Sequence, residues 1–124
     1  MHLQARLRIH DAYRRFASGF CWQGQARRAE PAFWLNVALF AQRDAVAAAL
    51  TRAGIETRPV FYPLHHLPPY GALGRPEAYP VARHVSARGL CLPSHAGLTT
   101  EDVHGICELA QAVVAEAVSE AVAV

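Results

Sequence analysis

The sequence predicts an α/β domain: a small sheet of about three strands, partly covered by helices. Three observations carry that expectation. Short apolar, β-branched or aromatic runs alternate with longer stretches of helical periodicity. The joints between them are brief and marked by Gly or Pro. The chain has 124 residues, 52% hydrophobic and 18% charged, enough for one buried core and too few for two ordinary domains.

The elements follow in chain order. Ile9, Tyr13, Phe16 and Phe20 recur at helical steps, which predicts an amphipathic helix with Arg8, Arg14 and Arg15 on its opposite face. Phe33 to Phe40 is short, aromatic and β-branched, a buried strand with Pro31 just ahead of it. The alanine-rich span Arg43 to Ala53 predicts a helix burying Val46, Ala49, Leu50 and Ala53, ended by a left-handed Gly54. Ile55 to Val60 reads as the next strand, so that strand, helix and strand form a crossover unit. Val81 to Arg88 predicts a short helix closed by Gly89, and Leu90-Cys91-Leu92 a brief strand cut off by Pro93. Thr99 as cap, with Asp102 three residues on, starts a last helix. Its Val103, Ile106, Ala110, Val113 and Ala117 should pack on the sheet, and its alanine-rich end, up to residue 124, should fray.

Charge narrows the chemistry. All twelve basic residues are arginines, and there is no lysine. This chain by itself therefore cannot supply a Schiff-base lysine, a phosphate-loop lysine or a lysine base. A net charge of +2 gives no bulk argument for nucleic acid or acidic membranes. The basic residues are nonetheless uneven, with six arginines and one acid in residues 1–28. Three cysteines without secreted-domain spacing point to reduced thiols. The N-terminus has no signal-peptide run, and the longest apolar stretch, Ala32 to Ala41, is interrupted by Asn36 and too short to span a bilayer. A cytoplasmic protein with no membrane and no nucleic-acid partner is expected.

Cys91 with His95, and His104 with Cys107, have spacings a metal could bridge, and Cys91, Ser94 and His95 are close enough in sequence to suggest a nucleophile. No nucleophile-elbow or glycine-rich phosphate motif supports either. The stretch from Pro59 to Pro80 is richer. It holds six of the eight prolines, three tyrosines and the adjacent His65 and His66, the composition of an ordered irregular loop that builds a binding site. Arg58 can present a fork to carboxylate or phosphate, Tyr62 and Tyr70 offer flat faces, and His65 can donate to phosphate or shuttle a proton. The alternative is an Arg58 in a surface ion pair and tyrosines wedged between prolines.

The run Gly54 to His65, GIETRPVFYPLH, followed by Leu67-Pro68-Pro69-Tyr70, resembles the C-terminal part of the DegT/DnrJ/StrS family of pyridoxal-phosphate-dependent sugar aminotransferases. Gly89 to His95, GLCLPSH, and the Leu98–Val103 stretch resemble the same family further downstream, as do Phe33 to Val37 and the Ile9/Tyr13 helix before them. The Arg-Pro-Val-Phe-Tyr-Pro-Leu-His wording is most similar to perosamine-synthase-type members. The resemblance implies the small C-terminal domain of a fold-type I transferase. Residues 1–28 would be the linking helix and connection, residues 29–124 the small domain, and the cofactor-binding large domain would be absent.

In the complete enzyme the resemblance implies pyridoxal 5'-phosphate, a sugar nucleotide, an amino-acid donor and a homodimer. This chain would bind no cofactor alone, carry no catalytic residue, and contribute Arg58, Tyr62 and His65 to substrate binding, for orientation rather than proton transfer. It would be inactive without a cofactor domain, supplied by a longer chain or by a separate one. The first helix would then leave its apolar face Ile9/Tyr13/Phe16/Phe20 open. A non-enzymatic sugar-nucleotide-binding or interaction module is the other reading.

Overall fold

In a computed structural model, which describes residues 2–73 and 75–122, the chain forms four helices and a four-stranded antiparallel sheet. The helices are α1 (His2–Phe16), α2 (Arg43–Arg52), α3 (Pro80–Arg88) and α4 (Thr100–Val122). The strands are β1 (Cys21–Trp22), β2 (Asn36–Leu39), β3 (Arg58–Pro59) and β4 (Gly89–Leu92), in the order β1-β2-β4-β3. The last two residues of the expected fraying end lie outside the described residues.

The sheet has one strand more than expected. β1 is two residues long and pairs Cys21 with Leu39 and Trp22 with Ala38, too short for any alternation to show in sequence. The crossover unit is present in split form. β2 and β3 both run antiparallel to β4, which lies between them. β3 is also shorter than Ile55 to Val60, because the chain after α2 is still tied to the helix. Gly54, at φ 78°, bonds back to the Thr51 carbonyl at 3.0 Å, and Ile55 to the Leu50 carbonyl at 2.9 Å. This double return is a Schellman ending, and it uses the N–H groups a longer strand would need.

α1 corrects a further expectation. Its apolar face is not open: Ile9 and Tyr13 are fully buried, and α4 covers them with Val103, Ile106, Cys107 and Ala110. Gln111 closes the packing by donating to the Phe16 carbonyl at 3.0 Å. Phe20 lies beyond the helix end, in the turn that precedes β1, and its ring meets Phe40 edge-on at 4.9 Å. Ala38, Leu90 and Leu92 present one sheet face to α1, α2 and α4, and Val46 and Leu50 of α2 complete the core. Ala53, expected on that face, is exposed at the helix end.

Gly89 closes α3 as expected, in extended backbone with φ −73°, and at once starts β4. Glycine is required there for space. A Cβ would stand 2.6 Å from Val60 Cγ1 and 2.7 Å from the Val85 carbonyl oxygen. The Thr99 cap is built as expected: Asp102 Oδ2 accepts from the Thr99 N–H (2.8 Å) and hydroxyl (2.7 Å), and Thr99 Oγ1 accepts from the Asp102 N–H at 3.1 Å.

Candidate functional site

A groove of about 1040 Å³ opens beside β3, between residues 54–59, the segment after β4 and the first turns of α4. Strand pairing sets Arg58 opposite Cys91, at the edge of the sheet. Its side chain is 81% exposed and bonded to Glu56, with Nη2 and Nε 3.0 and 3.3 Å from the same carboxylate oxygen. Two of its five N–H groups are thus engaged, and the Nη1 side remains able to meet an acceptor in the groove.

The opposite wall comes from the chain before β2. Phe33 is the one non-glycine residue with a left-handed backbone among those described, at φ 45°, a conformation costing about 1–2 kcal/mol. Burial compensates: the Phe33 ring is packed inside and lies flat on His10 at 3.5 Å, while His10 Nδ1 meets Asn36 Oδ1 at 2.9 Å. That reversal starts the strand at Asn36 instead of Phe33 and turns Trp34 outward, 60% exposed. Ser94 fixes it there by donating its hydroxyl to the Trp34 carbonyl at 2.7 Å. Tyr13, from beneath, donates to the Pro93 carbonyl at 2.9 Å, and burial pushes its phenol far above the usual range.

Phe61 lines the same groove, stacked near-parallel to Trp34 with centroids 6.3 Å apart and planes at 28°. Neither ring was singled out from sequence. Trp34 reads as strand interior until the Phe33 reversal is known, and Phe61 as a member of a proline-rich run.

The three expected substrate residues are not gathered in one cavity. Arg58 lines the groove, whereas Tyr62 and His65 are not on its wall. Tyr62 is 77% exposed on the loop that follows β3. His65 sits in a short 3-10 turn (Leu64–His66), stacked on Tyr79 at 4.9 Å and edge-on to His66 at 4.5 Å. Its Nε2 is enclosed with no partner among the described residues.

The other sequence candidates are separated. Cys91 is buried in β4 with its thiol pushed upward by burial, and Ser94 has committed its hydroxyl to Trp34, so neither is poised as a nucleophile. Cys107 is fully buried with its thiol pushed up to about 11, while His104 lies exposed against Phe16 at 4.6 Å and 3.7 Å from Glu108. Among the described residues no group of three His, Cys, Asp or Glu side chains could hold a metal ion, and no helix is long and apolar enough to cross a membrane.

The same fold occurs in solved aminotransferases. One from Brucella abortus superposes with a TM-score of 0.80 over 90% of this chain and 31% of its own, at 23% identity. A sugar aminotransferase from Micromonospora echinospora gives 0.78 over 89% and 30%, at 22% identity. The model of the DegT/DnrJ/EryC1/StrS aminotransferase family matches residues 4–111, and the chain belongs to that family. It is 33% identical over 112 residues to the GDP-perosamine synthase of Vibrio cholerae, covering 85% of this chain and 30% of that one. It is 42% identical over 76 residues to the GDP-perosamine synthase of Caulobacter vibrioides, 57% of this chain and 20% of that one. The chain thus spans less than a third of the length of these relatives.

Proposed function

We propose that this chain is the substrate-side wall of a sugar-nucleotide aminotransferase that acts on a GDP-linked keto-deoxy sugar. The observation that carries this is the similarity to GDP-perosamine synthases, 33% over 112 residues, on a family match from residue 4 to 111. In this reading residues 1–28 lead into a small domain of residues 29–124. Arg58 holds a phosphate or carboxylate of the substrate, and Tyr62 and His65 bound the sugar from the neighbouring loop.

Pyridoxal 5'-phosphate is the cofactor the family implies, and it would supply the electron sink for amino transfer. The residues present here do not fit it. The chain has no lysine, so no side-chain amine can anchor the cofactor's aldehyde. The cofactor would be held by polypeptide corresponding to the greater part of the relatives' length, in a homodimeric cytoplasmic enzyme, and this chain alone would be inactive.

The test is turnover. The purified chain, supplied with pyridoxal phosphate, an amino-acid donor and a GDP-linked 4-keto-6-deoxy sugar, should yield no amino sugar. Joined to or co-expressed with a family cofactor domain it should do so. Within that assembly Arg58→Ala should raise KM for the sugar nucleotide about 10-fold or more, and His65→Ala by less. Product from the isolated chain would overturn the reading.

A further inference from the structure

Trp34 and Phe61 are too exposed to serve the core, yet the backbone is tied down at Trp34 and next to Phe61. The Phe33 reversal and the Ser94 hydrogen bond hold Trp34 from either side. Phe61 follows Val60, whose N–H is bonded to the Gly89 carbonyl at 3.0 Å. Single exposed apolar residues need no explanation. Two near-parallel, stacked rings lining one groove that also holds a guanidinium form a more particular arrangement, an aromatic pair with a cation nearby.

We infer that the Trp34–Phe61 pair is the platform on which the base of a nucleoside diphosphate stacks, with Arg58 directed at its phosphates. This inference rests on the proposed function and gives the nucleotide part of the substrate a place. The groove, about 1040 Å³, is roomy enough for such a ligand. Glu56, Glu101 and Asp102 line it as well, Glu56 bonded to Arg58 and Asp102 to Thr99, so its polar edge is rich in acceptors. A base offering N–H donors on its edge, as guanine does through N1 and its amino group, complements those carboxylates. Uracil offers a single N–H between two carbonyls and suits them less. The Nη1 side of Arg58, not engaged by Glu56, is the part available to phosphate.

The experiment is a titration of the full chain with GDP, followed by calorimetry and by tryptophan fluorescence. The second tryptophan, Trp22, is half-buried and donates its indole N–H to the Ala17 carbonyl at 2.8 Å, so quenching reports on Trp34. GDP should quench, inorganic pyrophosphate should not, and UDP should bind more weakly than GDP. Trp34→Ala and Phe61→Ala should each weaken GDP about 10-fold or more, and Trp34→Phe by only a few-fold. Unchanged thermal midpoints would show that the variants fold. Undiminished GDP binding in both alanine variants overturns the platform and leaves the substrate-wall reading standing. Absence of GDP binding to the wild-type chain overturns the platform too, and the turnover test then decides that reading separately.

Discussion

Two regions of this molecule hold aromatic and aliphatic side chains in opposite ways. In the layer of α1, α2, α4 and the sheet, Ile9, Tyr13, Leu50, Leu90 and Val103 are fully buried. In the loop after β3, Phe61, Tyr62, Leu64, Tyr70 and Tyr79 are all exposed. The loop is shaped by short local returns instead: His66 N–H to the Pro63 carbonyl (2.9 Å), Leu67 to Leu64 (3.0 Å) and Tyr70 to Leu67 (2.9 Å). Its prolines reduce what the unfolded chain loses on ordering. The difference teaches that apolar residues mark a core only where helices and strands can cover them. Where local turns and prolines fix the backbone, the rings remain exposed.

Truncation should separate the two regions most sharply. Leu50→Ala removes a fully buried side chain between α2 and the sheet and should cost about 2–5 kcal/mol in a denaturant titration. Tyr62→Ala should stay within about 0.5 kcal/mol of wild type. Equal losses would mean that the loop is part of the core after all. Gly89→Ala should come next, at about 1–3 kcal/mol, since the added methyl meets Val60 and the Val85 carbonyl. It would probe the seam at which the loop's first residues join β4. Tyr13→Phe follows at about 1–2 kcal/mol, because the Pro93 carbonyl loses its donor. An unchanged unfolding midpoint would show that water replaces the phenol.

The two regions also differ in how far they could be read in advance. α2 with its Gly54 ending, β4 and the Thr99–Asp102 cap follow from periodicity and capping chemistry, which are local. The burial of α1 under α4 is a contact between residues about a hundred positions apart, and nothing in the spacing of Ile9 and Tyr13 names the partner. β1 exists only through its pairing with β2. Of the expected site, Arg58 could be placed on the sheet edge because the strand signal was local. The Trp34 wall could not be, because it depends on a left-handed Phe33 that no propensity favours.

Thiol reactivity sharpens the same division at smaller cost to the fold. Cys107 is fully buried with its thiol pushed up to about 11 by burial, and Cys91 is buried with its thiol raised as well, so both resist ionising near neutral pH. Cys21 is exposed in β1. A chromogenic disulfide reagent should therefore titrate one thiol quickly in the native chain and all three after unfolding. Two fast thiols would indicate that β4 opens beside the groove.

The smallest effect expected is an acid-range loosening of α4. Two bonds from Thr99, hydroxyl and then backbone N–H, hold the Asp102 carboxyl below the usual carboxylate range, with His95 adding a weaker attraction. A depressed folded value means that the stabilisation is complete above the unfolded pKa, near 4, and is lost as pH falls through the folded value. The other carboxylates contribute to any acid transition of the wild type, so the informative quantity is the difference from Asp102→Asn. Between pH 5 and pH 2 the wild-type midpoint should fall more steeply than that of the variant, and above pH 5 the two curves should run parallel. Parallel curves throughout would mean that the cap survives protonation, with Thr99 Oγ1 still accepting from the Asp102 N–H. The first turn of α4 borders the groove through Glu101 and Asp102, so a steeper fall would place that wall, unlike the proline-held loop opposite, under the control of a single carboxyl group.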